Sequence, residues 1–342
     1  MKSDIDLAAA PAHASSPRAA DSFSGPVFIV GMPRSGTKLL RTLLNRHSLI
    51  GIPEFESHFI PYYAQEDRDW RALQAPEEFR RFYQHIGASN FCRRLGRDVP
   101  DCEAWRQAVE EWSCAGVMEA LFRLYAAGRG KPIWGDKTPQ YLTQLPLLAR
   151  LYPAGRFIHI VRDPRDYCAS VQKAWGKHPY RSAQRWADEV ARCRADGAAL
   201  GEQRFLEVRY EDLLTDTEAV MRRISEFLGV PFEACTTVPD KAAENLGAAR
   251  GSTSIVRDNA YKWRRGQDRR AVARIERICA EELRRSGYPA SYSGPSVRLG
   301  RVRRGFYQAA DALHVVRHTL AEEPKFGDAL LSLRDKLLYR GP

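Results

Sequence analysis

PVFIVGMPRSGTKLLRTLLNRH, residues 26–47, decides the fold. Pro26 to Val30 is a short apolar run rich in branched side chains, GMPRSG is a glycine loop, and Leu39, Leu40, Leu43 and Leu44 then recur at helical spacing. Strand, loop and helix in that order open a βαβ unit. The N–H groups of such a loop and of the helix's first turn converge on one point and favour an anion there. Arg34, Ser35, Gly36, Thr37 and Lys38 are therefore candidate anion contacts. A loop built for a magnesium nucleotide would read GxxxxGK[ST], with a hydroxyl directly after the lysine. Here Thr37 follows Gly36 and Leu39 follows Lys38, so the anion cradle is kept and the metal's hydroxyl ligand is missing.

Working outward, RFIHIV (156–161) reads as a buried strand, RDPRD as a turn and YCASVQKAW as the start of a helix. RFLEVRY, Arg204 to Tyr210, is a third strand, followed by an amphipathic helix from Asp216 to Leu228. Strands alternating with helices predict an α/β fold, a mostly parallel sheet flanked by helices on both faces. Residues 61–130 are Trp- and Arg-rich, helical in pattern and without strand signals. They read as an insertion over the sheet's carboxyl edge, where open α/β sheets bind ligands, serving either as an acceptor-binding cap or as a structural layer. From Ser296 the sequence turns basic (RLGRVRRGF), with helical patterns at 306–320 and 328–339. This 296–342 extension is expected to pack back on the domain, to mediate self-association as a homo-oligomer, or to contact an anionic surface peripherally.

With 342 residues and 44% hydrophobic composition, the chain can bury a large core. It contains no apolar run of membrane-spanning length. Residues 1–25 lack an apolar leader core and read as a disordered lead-in. Seven cysteines without a CxxC pair argue against a disulfide framework and predict a cytoplasmic protein. The formal charge of +11 favours anionic partners, among them nucleic acid, a membrane surface or a phosphorylated small molecule. His314 and His318 stand one helical turn apart but lack a third ligand, and HExxH is absent, so no metal site is assigned.

PRSGT on a strand–loop–helix resembles the 5′-phosphosulfate loop of sulfotransferases that use 3′-phosphoadenosine 5′-phosphosulfate (PAPS). Arg162 and Ser170 in IVRDPRDYCAS keep the separation of that family's 3′-phosphate motif. WGDKTP (134–139) is similar to the catalytic-lysine segment of its Golgi-type and bacterial branch, and ESHFIP (56–61) to the segment holding that branch's glutamate base. RYEDLL (209–214), with Tyr210, and the Ser252–Gly266 stretch, with Lys262, resemble its later nucleotide-contacting elements. The likeness spans Pro26 to Pro289 and implies a P-loop-like fold.

The resemblance implies sulfuryl transfer from PAPS to a hydroxyl acceptor, with adenosine 3′,5′-bisphosphate (PAP) as product and no metal required. Glu56 is then the general base, Lys137 the cation at the leaving oxygen, and Arg34 with the Ser35–Lys38 backbone the phosphosulfate cradle. Asp136 either orients Lys137 or serves an ordinary turn or capping role. Carbohydrate, lipid, metabolite and peptide hydroxyls all fit such a site. No segment is similar to the catalytic-histidine segment of aryl and steroid sulfotransferases. Lys173 and Lys177 stand where the tyrosylprotein branch carries a further arginine, so peptide-tyrosine specificity does not follow. The alternatives are a kinase or other nucleotide phosphotransferase and, outside enzymes, a basic nucleic-acid-binding protein. The scatter of basic residues along the chain argues against specific nucleic acid as a partner.

Overall fold

The computed structural model describes residues 23–242, 249–303, 305–307 and 309–311. The 1–22 lead-in, His314, His318 and the helical patterns beyond 311 lie outside the described residues.

Five parallel strands form one sheet in the order β2-β3-β1-β4-β5. They are β1 (Val27–Gly31), β2 (Ile50–Gly51), β3 (Ile133–Lys137), β4 (Arg156–Val161) and β5 (Phe205–Arg209). The expected α/β fold is the observed one. β1 is buried along its whole length because it lies at the centre of a sheet covered on both faces. Its side chains alternate: Phe28 and Val30 enter one core, Val27 and Ile29 the other. Leu39, Leu40, Leu43 and Leu44, on the helix Thr37–Leu44, pack into the second.

β4 and β5 fall where the apolar runs predict them. β2 and β3 carry no such signal, since β2 has two residues and β3 reads IWGDK. The polar end of β3 is nonetheless buried, and a Cβ on Gly135 would stand 2.4 Å from the Val27 carbonyl oxygen. Close approach to β1 thus requires glycine at a position that weakens the strand pattern.

Helices between Ile60 and Ala127 cover the sheet face bearing Phe28 and Trp134. Phe122, on the helix Cys114–Ala127, stacks on Trp134 at 5.5 Å between ring centroids, and both rings are buried. Truncating such a ring costs roughly 3–5 kcal/mol, so the last helix of this stretch belongs to the core. The described part of the basic extension packs back on the domain. Val297 N–H donates to the Arg277 carbonyl (2.8 Å), Leu299 N–H to Gln184 (3.0 Å), and Asp311 accepts from the His178 amide (2.7 Å) and Arg181 (2.6 Å).

In this strand order the connection after β1 leads to β2 at one edge of the sheet, whereas the one after β4 leads to β5 at the other, so the carboxyl ends of β1 and β4, with β3 alongside, border the topological switch point. Open α/β sheets place their ligands there.

Candidate active site

The anion loop leaves β1 at that switch point. Ser35 N–H donates to the Met32 carbonyl (3.0 Å), and the helix starts at Thr37. Gly36 has φ +93, and a Cβ there would lie 2.2 Å from the Tyr210 ring, so both backbone and space demand glycine. Arg34 adopts φ +77, a strained conformation for a residue with a side chain. Ser35 Oγ is buried without a hydrogen-bond partner. Thr37 is buried and Lys38 half-buried.

Parallel pairing of β1 with β4 sets Gly31 opposite Ile160, which brings Arg162 beside the loop. Arg162 is 4% exposed. It donates to the Arg34 carbonyl (2.9 Å) and the Asn259 carbonyl (3.3 Å), and its Nε is buried without an acceptor. Its guanidinium lies 4.7 Å from the Tyr210 ring centroid. Arg34 Nε reaches Ser170 Oγ at 3.4 Å, so the two segments read as anion sites meet directly. Lys262 follows: its N–H donates to Asp166 (3.1 Å), and burial, then the charge of Arg162, lowers its pKa. Ser252 hydrogen-bonds Ser254 within its own turn.

Other parts of these motifs are architecture. Arg165 is fully buried, binds Asp163 and Glu276, and stacks on Trp263 at 3.7 Å. Glu211 accepts from the Asp163 amide (3.1 Å) and Tyr288 (2.6 Å). Burial pushes its carboxyl up to about 7.

Lys137 closes β3, whose register sets it beside Ile29. Its Nζ donates to Glu56 Oε1 (2.7 Å), and His58 Nε2 lies 3.1 Å from Glu56 Oε2. Lys137 is 1% exposed and Glu56 retains 28%. Burial lowers the Lys137 amine, against the pull of Glu56, while Arg41 and Lys38 lower it further. Burial alone would raise the Glu56 carboxyl. Lys137 and then His58 overrule it and hold the group well below the usual carboxylate range. Glu54, by contrast, pairs with Lys241 near the surface.

Asp136 holds the neighbours of both groups. It accepts from Ser57 Oγ and from Thr138 Oγ1 (3.0 Å). Ser57 Oγ also lies 2.8 Å from the Tyr141 hydroxyl, and Ser57 N–H donates to Thr138 Oγ1 (3.0 Å). With each hydroxyl proton used once, Tyr141 donates to Ser57, and both Ser57 and Thr138 donate to an ionised Asp136. Burial pushes Asp136 up to about 6, against those two hydrogen bonds. The sequence offered an orienting role at Lys137 or a plain turn. In the structure the network ties the residue after Glu56 to the residue after Lys137. His58 was not singled out by sequence. Its one visible signal is its place two residues after the proposed base.

Among the described residues no cluster of three or more His, Cys, Asp or Glu is placed to hold a metal ion. No helix among them is long and apolar enough to cross a membrane.

Comparison with known proteins gives the family. The chain is 25% identical over 285 residues to protein-tyrosine sulfotransferase A of Caenorhabditis elegans, covering 79% of this chain and 69% of that protein. It is 33% identical over 156 residues to the nodulation protein NoeE of Sinorhizobium fredii, covering 44% of this chain and 31% of that protein. The fold matches the sulfotransferase domain of the Synechococcus PCC 7002 olefin synthase with a TM-score of 0.52 at 24% identity, over 73% of this chain and 92% of that one. A family model described as the sulfotransferase family matches residues 26–234, which take in the anion loop, Glu56, Lys137, Arg162, Ser170 and Tyr210 and stop short of Ser252 and Lys262. The chain belongs to the sulfotransferase family.

Proposed function

We propose that the protein transfers a sulfuryl group from PAPS to a hydroxyl acceptor by in-line displacement, releasing PAP. The supporting observation is the convergence of a glutamate–lysine pair and two arginines at the carboxyl ends of β1, β3 and β4. The residues fit an anionic donor: Ser35 Oγ and Arg162 Nε are buried without partners and can serve it.

In this reading Arg34, Lys38 and the Ser35–Thr37 backbone hold the phosphosulfate, while Arg162 and Ser170 hold the 3′-phosphate. Tyr210, Ser252 and Lys262 complete the nucleotide contacts. The donor supplies an activated sulfuryl group. Glu56 takes the acceptor's proton as the acceptor oxygen bonds to sulfur. Lys137 meets the charge on the phosphate oxygen as its bond to sulfur breaks. Lysine and arginine thus supply the positive charge without calling on a metal. The hydroxyl class agrees with the tyrosine named for the Caenorhabditis relative. We also assign residues 61–130 the acceptor side of the site. Arg94, on the helix Asn90–Leu95 of that stretch, stacks over Phe55 at 4.3 Å, next to the base.

Thermal-shift titration tests the donor. PAP at 100 times its dissociation constant should add about 2.7 kcal/mol. Stabilisation by ATP with Mg²⁺ far beyond that by PAP would replace this reading with a kinase, and steep salt-dependent binding to random duplex would favour nucleic acid.

A further inference from the structure

Both carboxylate oxygens of Glu56 are occupied, Oε1 by Lys137 and Oε2 by His58. The two partners differ in kind. Lys137 is 1% exposed, whereas the His58 side chain is 32% exposed. His58 also has φ +59, the left-handed region that non-glycine residues seldom enter. Its neighbours enforce that conformation. Ser57, 3% exposed, is fixed by Asp136, Thr138 and Tyr141, and Phe59 is fully buried against Phe91 and Phe122. A residue strained between two anchored neighbours, with its ring turned back onto a carboxylate two positions earlier, is a pattern expected where backbone strain serves a site.

In the proposed reaction Lys137 cannot neutralise Glu56 and the departing phosphate oxygen together. We propose that His58 is the positioning residue for the base: it keeps hold of Glu56 Oε2 when Lys137 leaves Oε1 for the donor, so that Oε1 is the atom presented to the acceptor hydroxyl. The acceptor proton then moves to Oε1 while the acceptor oxygen–sulfur bond forms and the sulfur–phosphate oxygen bond breaks. This inference rests on the Glu56–Lys137 reading above. It adds that the base is masked until the donor is bound.

The test combines a contact readout with a kinetic one. In protein labelled with ¹⁵N-histidine, the hydrogen-bonded Nε2–H signal of His58 should persist in Lys137→Ala and when PAP is added. It should be lost in Glu56→Gln. His58→Gly removes the ring and relieves the left-handed backbone, so it should melt at or above the wild-type temperature and bind PAP equally well. Its kcat, read as labelled sulfate released to water or labelled product on a simple phenol, should fall about tenfold or more with KM for PAPS unchanged. His58→Asn, which also tolerates a left-handed backbone, should behave alike. Loss of the Nε2–H signal on PAP addition, or near-wild-type kcat in both His58 variants while Glu56→Gln is inactive, overturns the positioning role alone. Wild-type turnover in Glu56→Gln overturns the glutamate-base reading itself.

Discussion

Lys137 Nζ and Glu56 Oε1 stand 2.7 Å apart across 81 residues of chain. Sheet order creates the relationship: β3 lies beside β1, and Lys137 ends it at the switch point. The pair also restrains both groups. With Lys137 1% exposed, removal of its carboxylate partner leaves a buried charge uncompensated, a loss of several kcal/mol when complete. A donor that brings its own negative charge relieves that penalty as it draws Lys137 away.

Glu56→Gln therefore separates catalysis from binding. The amide keeps size and can still accept from Lys137, but it lacks basicity, so turnover should fall roughly 10²–10⁴-fold. PAP binding by calorimetry should be retained and no weaker than wild type, because the variant no longer competes with the phosphate for the Lys137 charge. Glu54→Gln should leave turnover near wild type, because Glu54 pairs with Lys241 instead. Reversed results for the two variants would transfer the base to Glu54.

The sequence exposes the parts of this site that rest on local chemistry. PRSGT announces its loop because glycine and arginine must sit at fixed positions in the turn, and RFIHIV and RFLEVRY announce strands by apolar runs. β3 stays hidden because its sheet position demands Gly135, Asp136 and Lys137 where a strand pattern wants branched residues. The Asp136 network and the His58 contact are equally silent, since both depend on residues brought together by strand order. Within RDPRD the two arginines part ways in the fold: Arg162 faces the loop, while Arg165 is locked into ion pairs with Asp163 and Glu276.

Asp136 gives the fold a measurable pH dependence. Its folded-state value is raised from 3.8 to about 6, so between those limits the native state holds more protons than the unfolded chain. Stability contributed by this group therefore falls as pH rises from about 4 to 6. Asp136→Asn removes the titration, so wild type should lose about 2–3 kcal/mol relative to the variant between pH 4 and pH 7. Urea unfolding of both proteins at several pH values measures the difference. A pH-independent gap would show that the hydroxyl network keeps Asp136 at an ordinary value.

Arg162→Ala should weaken PAP binding by roughly 10–150-fold, the range expected for one charge-assisted contact of about 1.5–3 kcal/mol. The preference for PAPS over the donor lacking the 3′-phosphate should shrink by a similar factor. Comparing both donors on both proteins yields the coupling between residue and phosphate. An undiminished preference would remove Arg162 from the 3′-phosphate site and leave it as the prop of the Arg34 carbonyl.

Gly36→Ala tests whether the loop's shape, beyond its charge, makes the donor site. A left-handed alanine costs roughly 1–2 kcal/mol. In addition, its Cβ would stand 2.2 Å from Tyr210 Cδ2 and 2.6 Å from Cε2. The ring cannot swing aside freely, because its hydroxyl bonds Asn259 Nδ2 at 2.6 Å and the Arg162 guanidinium lies over its face. The loop must therefore move, and with it Ser35 and the amide groups that open the helix. Gly36→Ala should lower the melting temperature and weaken PAP binding at least tenfold. Adding Tyr210→Ala removes the obstacle and leaves the backbone strain, so the double variant should bind PAP better than Gly36→Ala alone, even though Tyr210→Ala by itself weakens binding. That sign reversal is specific to a steric conflict between the two positions. Simple additivity would mean that Tyr210 contacts the donor without shaping the loop, and wild-type binding by Gly36→Ala would mean that the cradle does not depend on this turn.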